Sequence, residues 1–472
     1  MFSDKDILLI DKNIDNIIND AYITYKQKFC PTTKENEKVY NDILTYIKDN
    51  SKMVYGGFAH NLYLLNKKDE GFYKTMNNVN YNWPVMADIE FYSNDPVNDI
   101  IKLAEYLYNK GHKYIEAKEA LKSDTFKLYV NFESYCDVTY MPNNIYNKIP
   151  TIDINKFNCI DPYVAYIDYY RVLTDPMLSY WKLEKIINRI QKLMKHYNFN
   201  NLKNKNKKNS DDNINQNICD DIINNITKNN LCVIVGYYAY DYYMKLSNTN
   251  HIGGVPYIEI IIENVMDKHI NIYNILKVIF NGNITFKKYN KYFQYLDNRI
   301  EYYNNNKLIL ILYGTNNICS VYNKITDNIN IGTLSLTIMF LLINNIYSIT
   351  NKSKNNENIS KKSTKLFQDN TNLLYNSSTV YRFMIKQLYI SRNEYLIKNS
   401  LSVLDKSPFK EFIINCIGET TGAFRTKLLL KKKRFNYTPS GSAKKFIWYP
   451  EEVTDGCLIK NNNLLKKKKY NK

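Results

Sequence analysis

A chain of 472 residues is too long to close around one ordinary hydrophobic core, so two or three domains are expected. Lys and Arg number 64 against 46 Asp and Glu, and the net charge of +18 implies a polyanionic partner, which RNA, DNA or a membrane surface would each satisfy. The eight cysteines, Cys30, Cys136, Cys159, Cys219, Cys232, Cys319, Cys416 and Cys457, include no C-x-x-C pair and the five histidines form no cluster, which excludes a zinc site and reads as reduced thiols in an intracellular protein without a disulfide framework.

The first 50 residues are expected to be a helical segment, and their opening, Met-Phe-Ser-Asp-Lys-Asp, lacks the charged and apolar regions of a signal peptide. At 53–63 the run Met-Val-Tyr-Gly-Gly-Phe-Ala-His-Asn-Leu-Tyr sets Gly56 and Gly57 between an apolar stretch and a helix expected near 58–65. A turn without Cβ atoms lets backbone N–H groups approach a triphosphate, and the helix offers its positive N-terminus, although a Gly-Gly before a helix is also simply a tight turn. His60 is expected to pack rather than to catalyse. The polar and aromatic stretch 66–84 is longer than a plain link requires. Then 87–93, Ala-Asp-Ile-Glu-Phe-Tyr-Ser, reads as a strand on which Asp88 and Glu90 share one face while Ile89 and Phe91 point to the packed face. Two carboxylates forced together repel unless a cation lies between them, and magnesium, which prefers oxygen ligands, is the usual solution; a solvated strand face is the plainer reading. A third acid, Asp137, lies in the strand-forming run Tyr-Cys-Asp-Val-Thr-Tyr at 135–140, where bulky neighbours make an unpartnered charge costly. Brought beside the pair by a neighbouring strand, it would complete three acids able to hold two metal ions.

Residues 163–197 have helical spacing and a basic face of Arg171, Lys182, Lys185, Arg189, Lys192 and Lys195, suited to phosphates or simply solvated. The stretch 201–217 carries almost no apolar side chains and reads as a linker or loop. After it, 231–246 resembles the opening motif, with Gly236 falling on Gly56, Ala239 on Ala59 and Tyr243 on Tyr63. The next strand candidate, 255–262, falls where the acidic pair should be and carries only Glu259, and 308–314 falls on the Asp137 strand and carries no acid. A duplicated unit whose second copy cannot hold two metals is therefore expected. The most apolar window, 334–343, is stopped by Asn344 and Asn345, too short to span a bilayer, and reads as a buried helix. Beyond it, 351–363 reads as a polar loop, 379–398 as a helix, and 427–434 and 464–472 as basic runs that neutralise phosphates, the last as a disordered tail.

A glycine turn, an acid-x-acid strand and a later third acid, in that order, resemble the nucleotidyltransferase superfamily of DNA polymerase β. The segment 160–185, which begins Ile-Asp-Pro-Tyr-Val-Ala-Tyr-Ile-Asp-Tyr-Tyr-Arg, resembles the stretch just after the catalytic domain in poly(A) polymerase catalytic subunits of large cytoplasmic DNA viruses. Mimivirus-like and asfarvirus enzymes are nearer than poxvirus ones, because the acids lie close to the N-terminus. The resemblance covers 53–189 well and the remainder in length and layout. It departs at Glu90, one methylene longer than the Asp many relatives carry, and at Gly57, where relatives often have Ser.

The resemblance implies an α+β fold of duplicated polymerase-β-like nucleotidyltransferase domains, mixed sheets with flanking helices, the second copy degenerate. Its implied parts are an N-terminal helical segment 1–50, a catalytic domain 51–145, a helical connector 146–200, a polar linker 201–230, the degenerate domain 231–345 and a C-terminal helical region with a basic tail, 346–472. It implies a template-independent polynucleotide adenylyltransferase taking ATP and an RNA 3′ end. Asp88, Glu90 and Asp137 would hold two Mg2+ or Mn2+ ions, Gly56 and Gly57 would seat the phosphates, and Arg171, Lys182, Lys185 and Arg189 would bind RNA. It further implies a homodimer without membrane association, working in the host cytoplasm at the viral factory or packaged in the virion. The preference for ATP comes from the resemblance alone. On the residues themselves, a nucleotidyltransferase with another acceptor and a non-catalytic RNA-binding virion protein of the same fold stay open.

Overall fold

The computed structural model describes residues 2–29, 32–71, 88–120, 122–199, 213–247, 255–315, 318–351, 364–418 and 435–459. The stretches 72–87, 200–212, 352–363, 419–434 and 460–472, and with them most of the 66–84 stretch, both basic runs and Cys30, lie outside the described residues.

Seven strands build the first sheet: β1 (Met53–Tyr55), β2 (Ile89–Ser93), β3 (Glu116–Glu119), β4 (Thr125–Val130), β5 (Glu133–Tyr140), β6 (Thr151–Ile154) and β7 (Phe157–Ile160). Their spatial order is β3-β4-β5-β2-β1-β7-β6. β2 runs parallel to β5 and β1 parallel to β7, and the other neighbours are antiparallel. Alternation does the sorting on β2: Ile89 and Phe91 are fully buried, while Glu90 turns to the other face and keeps some exposure. The helix Pro96–Asn109 starts on its proline, whose missing N–H costs nothing there, and buries Val97, Ile100, Ile101, Ala104 and Leu107 at helical spacing against β4 and β5.

The second sheet repeats this plan. Its strands are β8 (Cys232–Val235), β9 (Ile258–Ile262), β10 (Ile284–Tyr289), β11 (Arg299–Asn304), β12 (Lys307–Tyr313), β13 (Ser320–Lys324) and β14 (Asn330–Gly332), in the order β10-β11-β12-β9-β8-β14-β13. Every neighbour relation has the same sense as in the first sheet. Even the irregularity recurs, with a bulge at Leu128/Tyr129 between β4 and β5 and at Tyr302/Tyr303 between β11 and β12. The expected α+β duplication is thus two mixed sheets flanked by helices.

Each sheet receives its eighth strand from the C-terminal region. β15 (Cys416–Ile417) pairs with β13, and β16 (Asn436–Tyr437) pairs with β3 at the far edge of the first sheet. From β16 the chain runs on as a strap. Ser440 N–H and Tyr437 OH both donate to the buried Glu105 carboxylate, Phe446 exchanges two hydrogen bonds with Asn98, and the Trp448 ring packs edge-on against Phe126 and Tyr140. The strap then crosses to the second copy, where Phe293 N–H donates to Thr454 O at 2.6 Å, Gly456 N–H to Lys291 O at 2.7 Å and Ile459 N–H to Lys288 O at 2.8 Å.

Four expectations are corrected. Cys319 and Cys416 form a disulfide that ties β15 to the start of β13, so the thiols are not all reduced; Cys136, Cys159, Cys219, Cys232 and Cys457 take part in no disulfide. The stretch 146–200 is not purely helical, because β6 and β7 extend the first sheet through it. The polar linker ends early, since the helix Gln216–Thr227 buries Cys219, Ile222, Ile223 and Ile226. The basic face of 163–197 is also broken: Pro176 cannot continue the helix Pro162–Leu173, and the chain restarts as the helix Leu183–His196. The window 334–343 is the buried front of the helix Leu334–Asn351, which packs on Pro162–Leu173 and on Thr364–Lys398. Among the described residues no helix is long and apolar enough to cross a membrane.

His60 packs, as expected. It is fully buried in the helix Gly56–Asn66, with Nδ1 2.7 Å from the Tyr169 hydroxyl. Burial, helped by the charges of Arg189 and Lys192, pushes its pKa down to about 3. An unfolded histidine takes up its proton near pH 6.5, which the folded one refuses, so stability is lost as pH falls below that value. Between pH 7 and 5 the wild type is expected to lose about 2 kcal/mol more than His60→Gln in urea unfolding. Equal losses would show that the imidazole is not held neutral.

Candidate active site

The site begins where β1 ends. Tyr55 is extended, Gly56 turns to φ +67°, and the helix Gly56–Asn66 starts at once with no side-chain cap from its own N-cap residue. A Cβ on Gly56 would stand 1.6 Å from Glu90 Oε2, so both the backbone angle and the space demand glycine. Glu90 supplies the missing cap from the next strand: Gly57 N–H donates to its Oε2 at 3.0 Å, a carboxylate placed on the positive end of the helix. The Gly57 amide expected to seat a phosphate is therefore engaged by Glu90.

Register brings the acids together. Tyr55 lies opposite Glu90, Glu90 opposite Asp137 on the parallel β5, and Asp137 opposite Lys127 on β4, a single row across one face of the sheet. Asp88 precedes β2 by one residue, two before Glu90, and is exposed. Burial raises the Glu90 carboxyl to about 7, the Gly57 N–H opposing and the charges of Asp137 and Asp88 adding to the rise. Burial raises Asp137 as well, against the pull of Lys127, whose ammonium holds both carboxylate oxygens at 2.7 and 2.9 Å. Tyr55 stacks on Tyr92 with centroids 3.8 Å apart and bonds the Thr139 hydroxyl at 2.8 Å, which stiffens the floor under the row.

Among the described residues no three His, Cys, Asp or Glu side chains already converge as a cation cage. The donor set nevertheless fits hard divalent cations. It offers carboxylate oxygens only, and two of them are lifted by burial and mutual repulsion that a cation would relieve.

A cleft of about 460 Å³ opens over the turn and the acids Asp88 and Glu90. All four connector cations singled out from the sequence, Arg171, Lys182, Lys185 and Arg189, line it. Lys195 instead pairs with Asp69, away from the cleft. Arg189 is buried, and Arg171 lies 3.4 Å from Asp168 and over the Tyr295 ring, so this is a structured wall and not a solvated face. The facing wall comes from the second copy, through Gln294, Tyr295, Thr315 and Phe340. On the other side of Glu90, a groove of about 550 Å³ holds Asp137, Lys118, Lys122 and Lys127 and is edged by Asn436 of the strap. Lys122, Lys127 and the individual residues of the second-copy wall escaped sequence reading, which anticipated only that the degenerate copy could form one wall of an RNA groove. Acids at the foot of a cleft, cations on one side and polar and aromatic groups on the other, with Asp297 the acid among them, can align a polyphosphate with a second, anionic reactant.

The family described as "Poly(A) polymerase catalytic subunit" matches residues 41–179, and the one described as "APMV, Putative poly(A) polymerase, catalytic subunit, C-terminal" matches residues 188–464. A protein of Acanthamoeba polyphaga mimivirus, itself assigned provisionally as a poly(A) polymerase catalytic subunit, is 28% identical over 490 residues, covering 94% of this chain and 79% of that protein. The similarly assigned protein of African swine fever virus, strain Badajoz 1971 Vero-adapted, is 29% identical over 150 residues, 32% of this chain and 29% of that one. The crystal structure of the Megavirus polyadenylate synthase superposes with a TM-score of 0.76 at 26% identity, covering 98% of this chain and 93% of that one. With the second family spanning more than half of its length and a matching architecture over nearly all of it, the chain belongs to the poly(A) polymerase catalytic subunits of large DNA viruses.

Proposed function

We propose that the chain extends RNA 3′ ends without a template, transferring adenylate from ATP, and that Asp88, Glu90 and Asp137 are its catalytic acids. The observation that carries this reading is the pairing of Glu90 with Asp137 on adjacent parallel strands directly beside the glycine turn. The RNA 3′-oxygen attacks the α-phosphorus of ATP, the bond to the leaving pyrophosphate breaks, and the proton of the 3′-hydroxyl passes to the Asp137 carboxylate. Bound magnesium or manganese, held by the three acids, would lower the pKa of that hydroxyl and offset charge on the leaving group. Glu90 would be one of the residues to hold such an ion, with its Oε2 already engaged by the Gly57 amide at 3.0 Å. Arg171, Lys182, Lys185 and Arg189 neutralise phosphates along the cleft wall, and the second copy closes its far side.

The units 51–145 and 231–345 are part of this reading, with β6, β7 and β16 joined to the first. So is a homodimer in the host cytoplasm or virion: the helix Asp4–Phe29 exposes Ile7, Ile14, Ile18 and Tyr25 in one stripe, which a second copy would cover. A solution mass showing monomer alone would count against the dimer. For the reaction, a short RNA primer should be offered the four nucleotides one at a time with magnesium. ATP alone is expected to give a ladder of many additions. Equal use of all four, or a single addition, would move the chain to another acceptor class.

A further inference from the structure

The two copies differ in every catalytic acid but one. The residue two before Glu259 on β9 is Tyr257, in the place of Asp88, and the residue opposite Glu259 on the parallel β12 is Ile311, in the place of Asp137. Glu259 itself stands where Glu90 stands, opposite the last residue before the turn: Val235 faces Glu259 as Tyr55 faces Glu90. The turns match closely. Gly236 has φ +64° against +67° for Gly56, and a Cβ on either would lie 1.6 Å from the glutamate Oε2. The helices after the turns, Gly56–Asn66 and Gly236–Leu246, are both 11 residues long and both lack a side-chain cap from the N-cap residue.

Metal binding does not account for a carboxylate in the copy that has lost its partner acids. Burying one is unfavourable, and Glu259 is fully buried with its pKa raised by that burial. What the copies share is a strand that runs into a helix through a left-handed glycine, which leaves the first helical N–H groups without partners. In the first copy Gly57 N–H donates to Glu90 Oε2 at 3.0 Å; in the second, Glu259 Oε2 sits in the same place against Gly236 without a hydrogen bond of its own, near enough to the Tyr237 amide for that amide to favour its charge. The other oxygen distinguishes the copies. Glu259 Oε1 is closed off by the Tyr313 hydroxyl at 3.0 Å and the Asn344 amide at 2.8 Å.

We propose that the glutamate common to both copies is a clamp on the strand-to-helix turn, and that its extra methylene over aspartate is what lets it reach. Oε2 sits on the turn in both copies, bonded to the Gly57 amide in the first and placed against Gly236 in the second. Glu90 stands opposite Asp137 in the catalytic copy, whereas Glu259 Oε1 is sealed by neutral donors in the second. Glu90 is thus a positioning residue for the phosphate-facing turn, in addition to the ligand role assigned to it under the proposed function and independent of that role.

Length and charge separate the two roles, so the full chain should be compared as Glu90→Asp, Glu90→Gln, Glu259→Asp and Glu259→Gln. Glutamine keeps the reach and an acceptor oxygen, whereas aspartate keeps the charge and falls short. In hydrogen exchange the Gly57 amide is expected to exchange about tenfold faster in Glu90→Asp and the Tyr237 amide faster by a smaller factor in Glu259→Asp, each glutamine variant staying nearer the wild type. The Asp variants should also melt about 3 °C lower than their Gln counterparts. Glu90→Asp should raise KM for ATP more than it lowers kcat, since a loosened turn weakens phosphate seating. Glutamine variants that exchange faster and melt lower than the aspartates, at both positions, would overturn the clamp. Should Glu90→Asp fail to fold, the Glu259 pair decides alone, because it lies outside the acid site. Manganese binding that persists in Glu90→Gln would remove the ligand role and leave the clamp standing.

Discussion

Asp137→Ala is expected to lower adenylate incorporation by on the order of a thousandfold while RNA retention on a filter changes little. Asp137 is the one acid of the row contributed by a different strand from the pair, and it lies directly opposite Glu90. Removing it deletes an oxygen donor and the proton acceptor together, and leaves the Lys127 ammonium without the carboxylate it holds at 2.7 and 2.9 Å. That stranded cation adds a local positive charge, so affinity for polyanionic RNA should, if anything, rise. Asp137→Asn separates the effects: the amide oxygen still accepts from Lys127, yet the charge is gone, and the rate loss should be nearly as large. Asp88→Ala should match it in kcat, with less effect on folding because Asp88 is exposed. Primer extension at near wild-type rate by either alanine variant would show that the acids have been misassigned.

Ending the chain after residue 434 is expected to abolish cooperative unfolding at the wild-type midpoint and to remove activity with it. The lost strap carries β16, the Tyr437 and Ser440 bonds to Glu105, the Phe446 exchange with Asn98, the Trp448 ring against Phe126 and Tyr140, and the backbone bonds from Thr454 to Ile459 on the second copy. Glu105 is buried, so stripping its donors leaves a carboxylate in an apolar setting, a change that costs about 2 kcal/mol or more by itself. Phe126 would lose an edge-on contact from Phe435 as well as from Trp448. Together these losses rival the whole stability of an ordinary domain. A point variant tests the same idea more gently: Trp448→Ala should cost about 2 kcal/mol in urea unfolding, less than a fully buried tryptophan because the ring is half exposed. A truncated chain melting with the wild type would show the strap to be ornamental.

Much of this was legible from residues whose neighbours constrain them strongly. The alternation at Ile89, Glu90 and Phe91 and the glycine at 236 were enough to place the turn, the acid strand and the second copy, because a two-residue period and a left-handed glycine leave little choice. Lys127 was not legible. Counting back from Val130 opposite Glu133 would set Lys127 opposite Cys136, and only the bulge at Leu128/Tyr129 moves it opposite Asp137. The hairpins were hidden for a related reason. Their tight turns, Asn131-Phe132, Asn155-Lys156 and Asn305-Asn306, hold both residues at positive φ, a conformation normally signalled by a glycine that none of them has. β6 and β7 therefore read as part of a helical connector. β15 and β16 are two residues each, too short for any period, and their existence depends on edges supplied by strands some hundred or more residues earlier. That the second copy could wall a groove was legible from the duplication, but which of its residues do so was not, since the cleft is a meeting of two units and not a property of either.

Because the last strand of each sheet comes from residues 416–437, order of synthesis matters to this molecule. A ribosome making it exposes the whole of both seven-strand sheets before either outer edge has its cover, and an uncovered edge is a template for pairing with another nascent chain. Neither copy can be completed on the ribosome ahead of the other. Both units are thus closed late, by residues 416–459 that emerge long after them, and a chain stopped between β14 and β15 would carry two uncovered edges in place of a shortened enzyme.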